Sequence, residues 1–341
     1  MPLPDRPAGD PALHRALAVL AGDPAGNGEV VAERADATVV RVGDRVAKAH
    51  APDAEAAPLD VRVRVAAAAT YRGVLLPPAS SSGTVPLPGG RAGSVWPYGA
   101  PVDPDDAAAA PWEAAGELLA RLHTAPLPPL AQLPGPLPPM RGPAKALRAL
   151  TRMRTAPPGA HAAAADAVER AWAVLPPWCR DEERPPEARI LCHGDFHLGQ
   201  LVRHPPPDGP WHLIDVDDLG LGDPAWDLAR PACWYAAGLL PPTAWDRFFA
   251  AYARTLRTAG APRASSTLRG LAGPDPWRYL DAPARALTVQ SAALGVAKAR
   301  TEGRSLDEAE EACVAACARI ADLFERTERA GRTELPAPQA P

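Results

Sequence analysis

The chain is poor in the features that most readily assign a protein. Its 341 residues carry 36 basic against 40 acidic side chains, a formal net charge of −4. No basic excess dominates, which argues against a nucleic-acid partner. Only five cysteines occur, Cys179, Cys192, Cys233, Cys313 and Cys317, scattered and without a CxxC pair. That excludes a disulfide framework and predicts reduced thiols in a cytoplasm. Cys313 and Cys317, one helical turn apart, read as small apolar residues on a buried helix face. The N-terminal apolar stretch Ala16–Ala21 is too short for a secretory or membrane-spanning core, so neither export nor a membrane partner is expected. No internal repeat and no GxGxxG loop is present.

What is abundant is alanine and proline, 44 of the latter. Alanine fits either face of a helix and blurs periodicity. The length predicts one large domain or two lobes, enough for a substantial core. His14–Leu20 reads as a short leading helix. Glu29–Arg34, Thr38–Val42 and Arg45–His50 read as three short strands, joined by turns at Ala35-Asp36 and Gly43-Asp44. A helix is expected over Pro58–Thr70, and Ser94–Gly99 reads as a last strand before a linker. From about Pro101 the chain turns helical. Pro111–His123 is amphipathic, with Leu118, Leu119 and Leu122 on one side. The proline-rich Pro126–Pro143 is an extended loop. Further helices are expected at Ala144–Thr155, Ala160–Leu175, Pro224–Leu240, Pro242–Thr258, Pro283–Glu302 and Ser305–Arg329, with a disordered tail from Thr333.

Between the helices lie two acidic centres about twenty residues apart. The first is His193-Gly194-Asp195-Phe196-His197-Leu198-Gly199-Gln200. The second is Leu213-Ile214-Asp215-Val216-Asp217-Asp218, followed by Gly222-Asp223-Pro224 and Asp227. Each follows a short apolar run that reads as a strand. Carboxylates at strand ends can accept a proton from a hydroxyl and hold magnesium, which is equipment for phosphoryl transfer.

The runs HGDFHLGQ, IDVDD and GDPAWDLA, with the helix EAAGELLARLHTAP, resemble the aminoglycoside phosphotransferase family of small-molecule kinases. That resemblance implies an α+β, protein-kinase-like fold of two lobes. A small β-rich nucleotide-binding lobe would span 1–99 and a larger, mostly helical catalytic lobe 100–332, with 333–341 as the tail. It implies transfer of the γ-phosphate of ATP, or GTP, to a hydroxyl of a small molecule such as an aminoglycoside-like antibiotic, a sugar or another hydroxylated metabolite. Asp195 would be the catalytic aspartate, and Asp215 and Gln200 would hold Mg2+. Gln200 stands where the family usually has Asn, as in maltokinase-like relatives. Lys48 would hold the α- and β-phosphates, Arg34 and Asp36 belong to the turn covering them, and Trp96 and Tyr98 to the connector that meets adenine. His193 would pack beneath the catalytic loop, Asp227 would tie that loop down, and Asp217 would stand close to the metal or to a cationic substrate.

Two departures matter. The phosphate-covering glycine loop is degenerate, and the only carboxylates on the helix after Lys48 that could pair with it are Glu55 and Asp60. A pseudokinase-like nucleotide-binding module would explain both, and Gln for Asn, but would have no need of Asp195 and Asp215. A metal-dependent hydrolase built on His193, Asp195 and His197 is a further alternative, with imidazole and carboxylate as ligands. Trp112, Trp172, Trp178, Trp226 and Trp234 read as core, and Arg148, Arg152 and Arg154 as a solvated helix face.

Overall fold

The computed structural model describes residues 10–34, 36–80, 83–157, 159–185, 189–260 and 265–333. Ala35 of the expected turn and residues 334–341 of the expected tail lie outside these. The helices are α1 (Pro11–Ala21), α2 (Ala56–Ala67), α3 (Trp112–Thr124), α4 (Gly142–Thr155), α5 (Ala162–Ala173), α6 (Ala225–Ala237), α7 (Pro242–Thr258), α8 (Ser266–Leu271), α9 (Trp277–Glu302) and α10 (Glu308–Thr333). The strands are β1 (Glu29–Glu33), β2 (Thr38–Val42), β3 (Arg45–Ala49), β4 (Val85–Pro86), β5 (Ala92–Pro97), β6 (Ala100–Pro101), β7 (Ile190–Cys192), β8 (Leu201–Arg203), β9 (Trp211–Leu213) and β10 (Gly220–Gly222). The chain forms two compact units. One is the chain up to Met140 with His197–Leu221, the other Arg141–Phe196 with the chain from Gly222.

The first unit is built on an antiparallel sheet of order β1-β2-β3-β5-β4. Strand alternation divides its residues between two faces. Val40, Ala47 and Ala49 face α1, where Leu13, Leu17, Ala18 and Ala21 complete an apolar cluster. Burying Leu13 and Leu17 contributes about 1.5–3 kcal/mol each. Helix α1 starts at Pro11, with Asp10 as its cap accepting from the Ala12 and Leu13 amides at 2.9 and 3.3 Å. The opposite face presents Val39, Val46 and Lys48. A smaller antiparallel sheet joins β6, β8 and β9, with Leu201 opposite Leu213. Helix α2 ends at Ala67, three residues before the expected Thr70, and a single tight turn at Ala69–Tyr71 follows. That turn sends Tyr71 inward, fully buried, its hydroxyl donating to the Pro126 carbonyl at 3.2 Å.

The second unit is helical and centred on α9, which packs against α4, α5, α6, α8 and α10. A helix enclosed on several sides should be apolar around much of its circumference. Leu280, Leu287, Val289, Ala292, Ala293, Val296 and Ala297 are accordingly buried. Its start is at Trp277, not at Pro283, which lies inside the helix. Aromatic packing accounts for the extra turns: Trp277 stacks on Tyr235 at 6.1 Å and meets Trp245 at 5.7 Å. These contacts offset the hydrogen bond that an internal proline forgoes. Helix α8, unforeseen in the sequence, is only six residues long, capped by Ser265 accepting from the Leu268 amide at 3.0 Å. Among the described residues no helix is long and apolar enough to cross a membrane.

Candidate active site

The first unit carries a cleft of about 450 Å3 on the face of the sheet away from α1. Val39, Val46, Lys48 and Trp96 line it from the sheet, Tyr98 from the segment after β5, and Arg34 and Ala37 from the β1–β2 turn. Arg34 and Ala37 close that turn with a 2.8 Å backbone hydrogen bond, while Asp36 does not line the cleft and its charge acts on Arg91. The Tyr98 ring carries the Arg41 guanidinium at 3.6 Å, and its amide donates to the Asp44 carbonyl at 2.7 Å.

The β8–β9 hairpin supplies the acidic side. Leu201 pairs with Leu213, and the Ile214 amide donates to the Gln200 carbonyl at 2.9 Å. The residue before one strand and those just after the other are thereby brought together, so Gln200 and Asp215 line the same cleft. Asp215 holds a left-handed φ of 63°, a conformation uncommon outside glycine and concentrated at functional positions. Lys48 Nζ donates to Asp215 Oδ1 at 2.6 Å and stands 3.1 Å from Asp217 Oδ2. Burial alone would lower the Lys48 ammonium's pKa, but the two carboxylates outweigh it and raise it above the ordinary lysine value. Burial would likewise raise the Asp217 carboxyl. The Lys48 charge and the His50 hydrogen bond hold it well below the usual carboxylate range. Neither helix carboxylate meets Lys48. Glu55 stands at the N-cap of α2, and Asp60 accepts from Arg64 Nε at 2.8 Å and the Thr84 amide at 2.9 Å.

The second unit carries Asp195. After β7 the chain turns at Gly194, whose φ of 85° suits glycine. Asp227, buried in the first turn of α6, accepts from the His193 amide at 2.6 Å and the Gly194 amide at 2.8 Å. His193 is fully buried and edge-on to Phe196, which stacks on Phe248 at 5.8 Å. Asp195 Oδ2 lies 2.6 Å from Lys145 Nζ on α4, and Oδ1 accepts from Arg230 Nη2 on α6 at 2.7 Å. Beside it is a recess of about 10 Å3, lined in part by Gly194, Asp195, Trp226, Arg230 and Gln290. That is room for one water-sized group such as a hydroxyl. Among the described residues Trp226 Nε1 and Arg230 Nε, both buried, find no acceptor. Two cations on one carboxylate make a poor place for a dication, which argues against the metal-hydrolase alternative. The five cysteines are all buried. Burial pushes their thiols up, Cys233 to about 12, so they are neither nucleophiles nor ready ligands.

The sequence reading missed Lys145, Arg230, His50 and Ser94. One signal was available: the chain has just three lysines, Lys48, Lys145 and Lys298, and two of them stand on the acidic centres. Strand spacing also places His50 two residues after Lys48, and helix spacing places Arg230 three after Asp227.

A sequence model of the phosphotransferase enzyme family matches residues 27–271. Direct comparison with curated protein sequences gives no match. Among solved structures, a choline/ethanolamine kinase family protein from Mesorhizobium loti is 19% identical with a TM-score of 0.50, over 92% of this chain and 93% of that one. A thermostable mutant of an aminoglycoside phosphotransferase, in ternary complex with AMP-PNP and hygromycin B, is 16% identical with a TM-score of 0.52, over 87% and 93%. An ethanolamine kinase from Plasmodium vivax is 12% identical with a TM-score of 0.50, over 85% and 81%. At these identities they establish the fold, which is α+β and protein-kinase-like.

Proposed function

The chain belongs to the phosphotransferase enzyme family, and from that premise we propose that it transfers the γ-phosphate of ATP to a hydroxyl of a small molecule, with magnesium. The observation that carries this is the Lys48–Asp215 pair, 2.6 Å apart on a cleft that Gln200 also lines. Lysine and hard oxygen donors on one cleft are what a metal-bound nucleoside triphosphate requires. Magnesium fits the donor set, since the Asp215 carboxylate and the Gln200 amide carbonyl both offer oxygen. When bound, it neutralises charge on the phosphates. Lys48 holds the α- and β-phosphates. Arg34 and the Trp96 and Tyr98 rings border the nucleotide, and Asp36 stands on the turn above it.

Asp195 receives the acceptor. Phosphoryl transfer asks little covalent work of the protein; positioning and charge neutralisation carry the rate. Lys145 and Arg230 fix both oxygens of the Asp195 carboxylate, and Asp227 fixes the loop beneath it, so a hydroxyl in the adjoining recess is oriented by a rigid acceptor. Lys145 and Arg230 place two cations beside the one carboxylate. A neutral or anionic hydroxyl compound suits it better than a polyamine.

The test is ADP release from Mg-ATP across sugars, hydroxy acids, hygromycin B and ethanolamine, run beside Asp195→Asn and Asp195→Ala. Acceptor-dependent release should fall by about 10²–10⁴ in both variants, with ATP affinity retained. Undiminished turnover in Asp195→Ala would overturn the assignment. Saturable ATP binding without turnover on any acceptor would favour a binding module instead.

A further inference from the structure

Kinase-like chemistry needs its phosphate-binding lysine held in place by a carboxylate other than the one that turns to the metal. Here the helix after β3 supplies none: Asp60 is committed to Arg64 and Thr84, and Glu55 stands exposed at the N-cap position. We propose that Asp217, braced by His50, Ser94 and Trp96, is the positioning partner of Lys48. The inference rests on the reading that Lys48 binds the nucleotide's phosphates.

Lys48 Nζ has two carboxylates within reach, Asp215 at 2.6 Å and Asp217 at 3.1 Å. They differ in what holds them. Asp215 is the more open, its side chain 35% exposed against 22% for Asp217. Asp217 is gripped from behind: His50 Nδ1 lies 2.9 and 3.0 Å from its two oxygens. His50 is fully buried, with its Nε2 2.7 Å from Ser94 Oγ. Ser94 Oγ accepts from Trp96 Nε1 at 2.8 Å. The indole can only donate. The serine hydroxyl then donates onward to His50 Nε2, and His50 Nδ1–H donates to Asp217. In this tautomer every donor meets an acceptor.

Strand register builds the chain. Lys48 and Ser94 lie directly opposite on β3 and β5, and Val46 and Trp96 are the next same-face pair. All four project to the cleft side, and His50 follows two residues after Lys48. The sheet that presents the lysine thus also presents the brace. When Asp215 turns to a cation, Asp217 cannot follow without breaking the His50–Ser94–Trp96 chain. Lys48 therefore keeps a counter-charge and its aim.

Asp217→Asn tests this. It keeps the shape and an oxygen for His50 but removes the charge. Titration calorimetry would measure Mg·AMP-PNP and adenosine binding to wild type, Asp217→Asn, Asp217→Glu, Lys48→Met and the Asp217→Asn/Lys48→Met double variant, with thermal unfolding to verify folding. Asp217→Asn should weaken Mg·AMP-PNP by about tenfold or more, leave adenosine unchanged, and be partly rescued in Asp217→Glu. In the Lys48→Met background it should have no further effect, because it acts through Lys48. Wild-type affinity in Asp217→Asn would overturn the proposal. So would an undiminished effect beside Lys48→Met, which would make Asp217 a direct ligand, or a parallel loss of adenosine, which would make it structural. Wild type that binds no Mg·AMP-PNP would fail earlier, at the nucleotide reading itself.

Discussion

Asp227→Asn should be among the most damaging isosteric changes in this chain. The carboxylate is 1% exposed and accepts from two successive backbone amides, His193 at 2.6 Å and Gly194 at 2.8 Å. Asparagine has one acceptor where aspartate has two. Whichever way it is turned, its NH2 confronts a backbone N–H. One charge-assisted bond is lost, the other becomes a neutral bond, and a buried donor is orphaned, together about 3–5 kcal/mol. Domains of ordinary stability hold about 5–15 kcal/mol in all. Urea unfolding followed by tryptophan fluorescence would measure the loss, and hydrogen exchange at the Gly194 amide should quicken in parallel. A change below about 1 kcal/mol, with Gly194 still protected, would refute the view that this carboxylate ties down the Asp195 loop.

Lys145→Gln or Arg230→Gln should shift acceptor preference toward cations. An ammonium about 6 Å from either charge is opposed by ~3 kcal/mol at an effective dielectric near 20, so the kcat/KM ratio of ethanolamine to a neutral sugar should rise roughly tenfold to a hundredfold; an unchanged ratio would show that these cations do not select the acceptor. Asp60 sets an acid-side stability. Burial alone would raise its carboxyl, but hydrogen bonds from Arg64 and Thr84 hold it below the usual 3.8. A lowered folded value stabilises at higher pH, so the stability difference between wild type and Asp60→Asn should be constant from pH 7 to about 5 and shrink as the pH falls through about 4 and below.

Helices with strong end signals were legible in the sequence. Pro242–Thr258 was read with its observed bounds, and α1, α3 and α4 within three residues of theirs. The three-strand meander was legible because β-branched residues alternate there and Gly43-Asp44 marks the turn. The misplacements have physical causes. Proline at 283 reads as a helix start, but tertiary packing of Trp277 extends α9 backward past it. Alanine-rich context hid α8. The carboxylates of the candidate site were legible as sequence runs, and the counter-charges that meet them were not. Asp195 and Asp215 announce themselves by their runs. Lys145 and Arg230 sit in ordinary helices, and only folding brings them to Asp195. His50, just past the end of β3, looks like any other residue there until Ser94 arrives opposite Lys48.

The two acidic centres, so alike in sequence, meet different counter-charges once folded. At Asp215 two carboxylates share one ammonium, Lys48. At Asp195 two cations share one carboxylate. On the proposed reading the first would hold a divalent cation and, through Lys48, the phosphates that travel with it. On the same reading the second would receive the acceptor hydroxyl. A sequence reader who sees two aspartate runs expects two acidic sites. On the proposed reading one of them serves metal and nucleotide and the other the acceptor hydroxyl. The difference lies in the counter-charges, none of which belongs to either run.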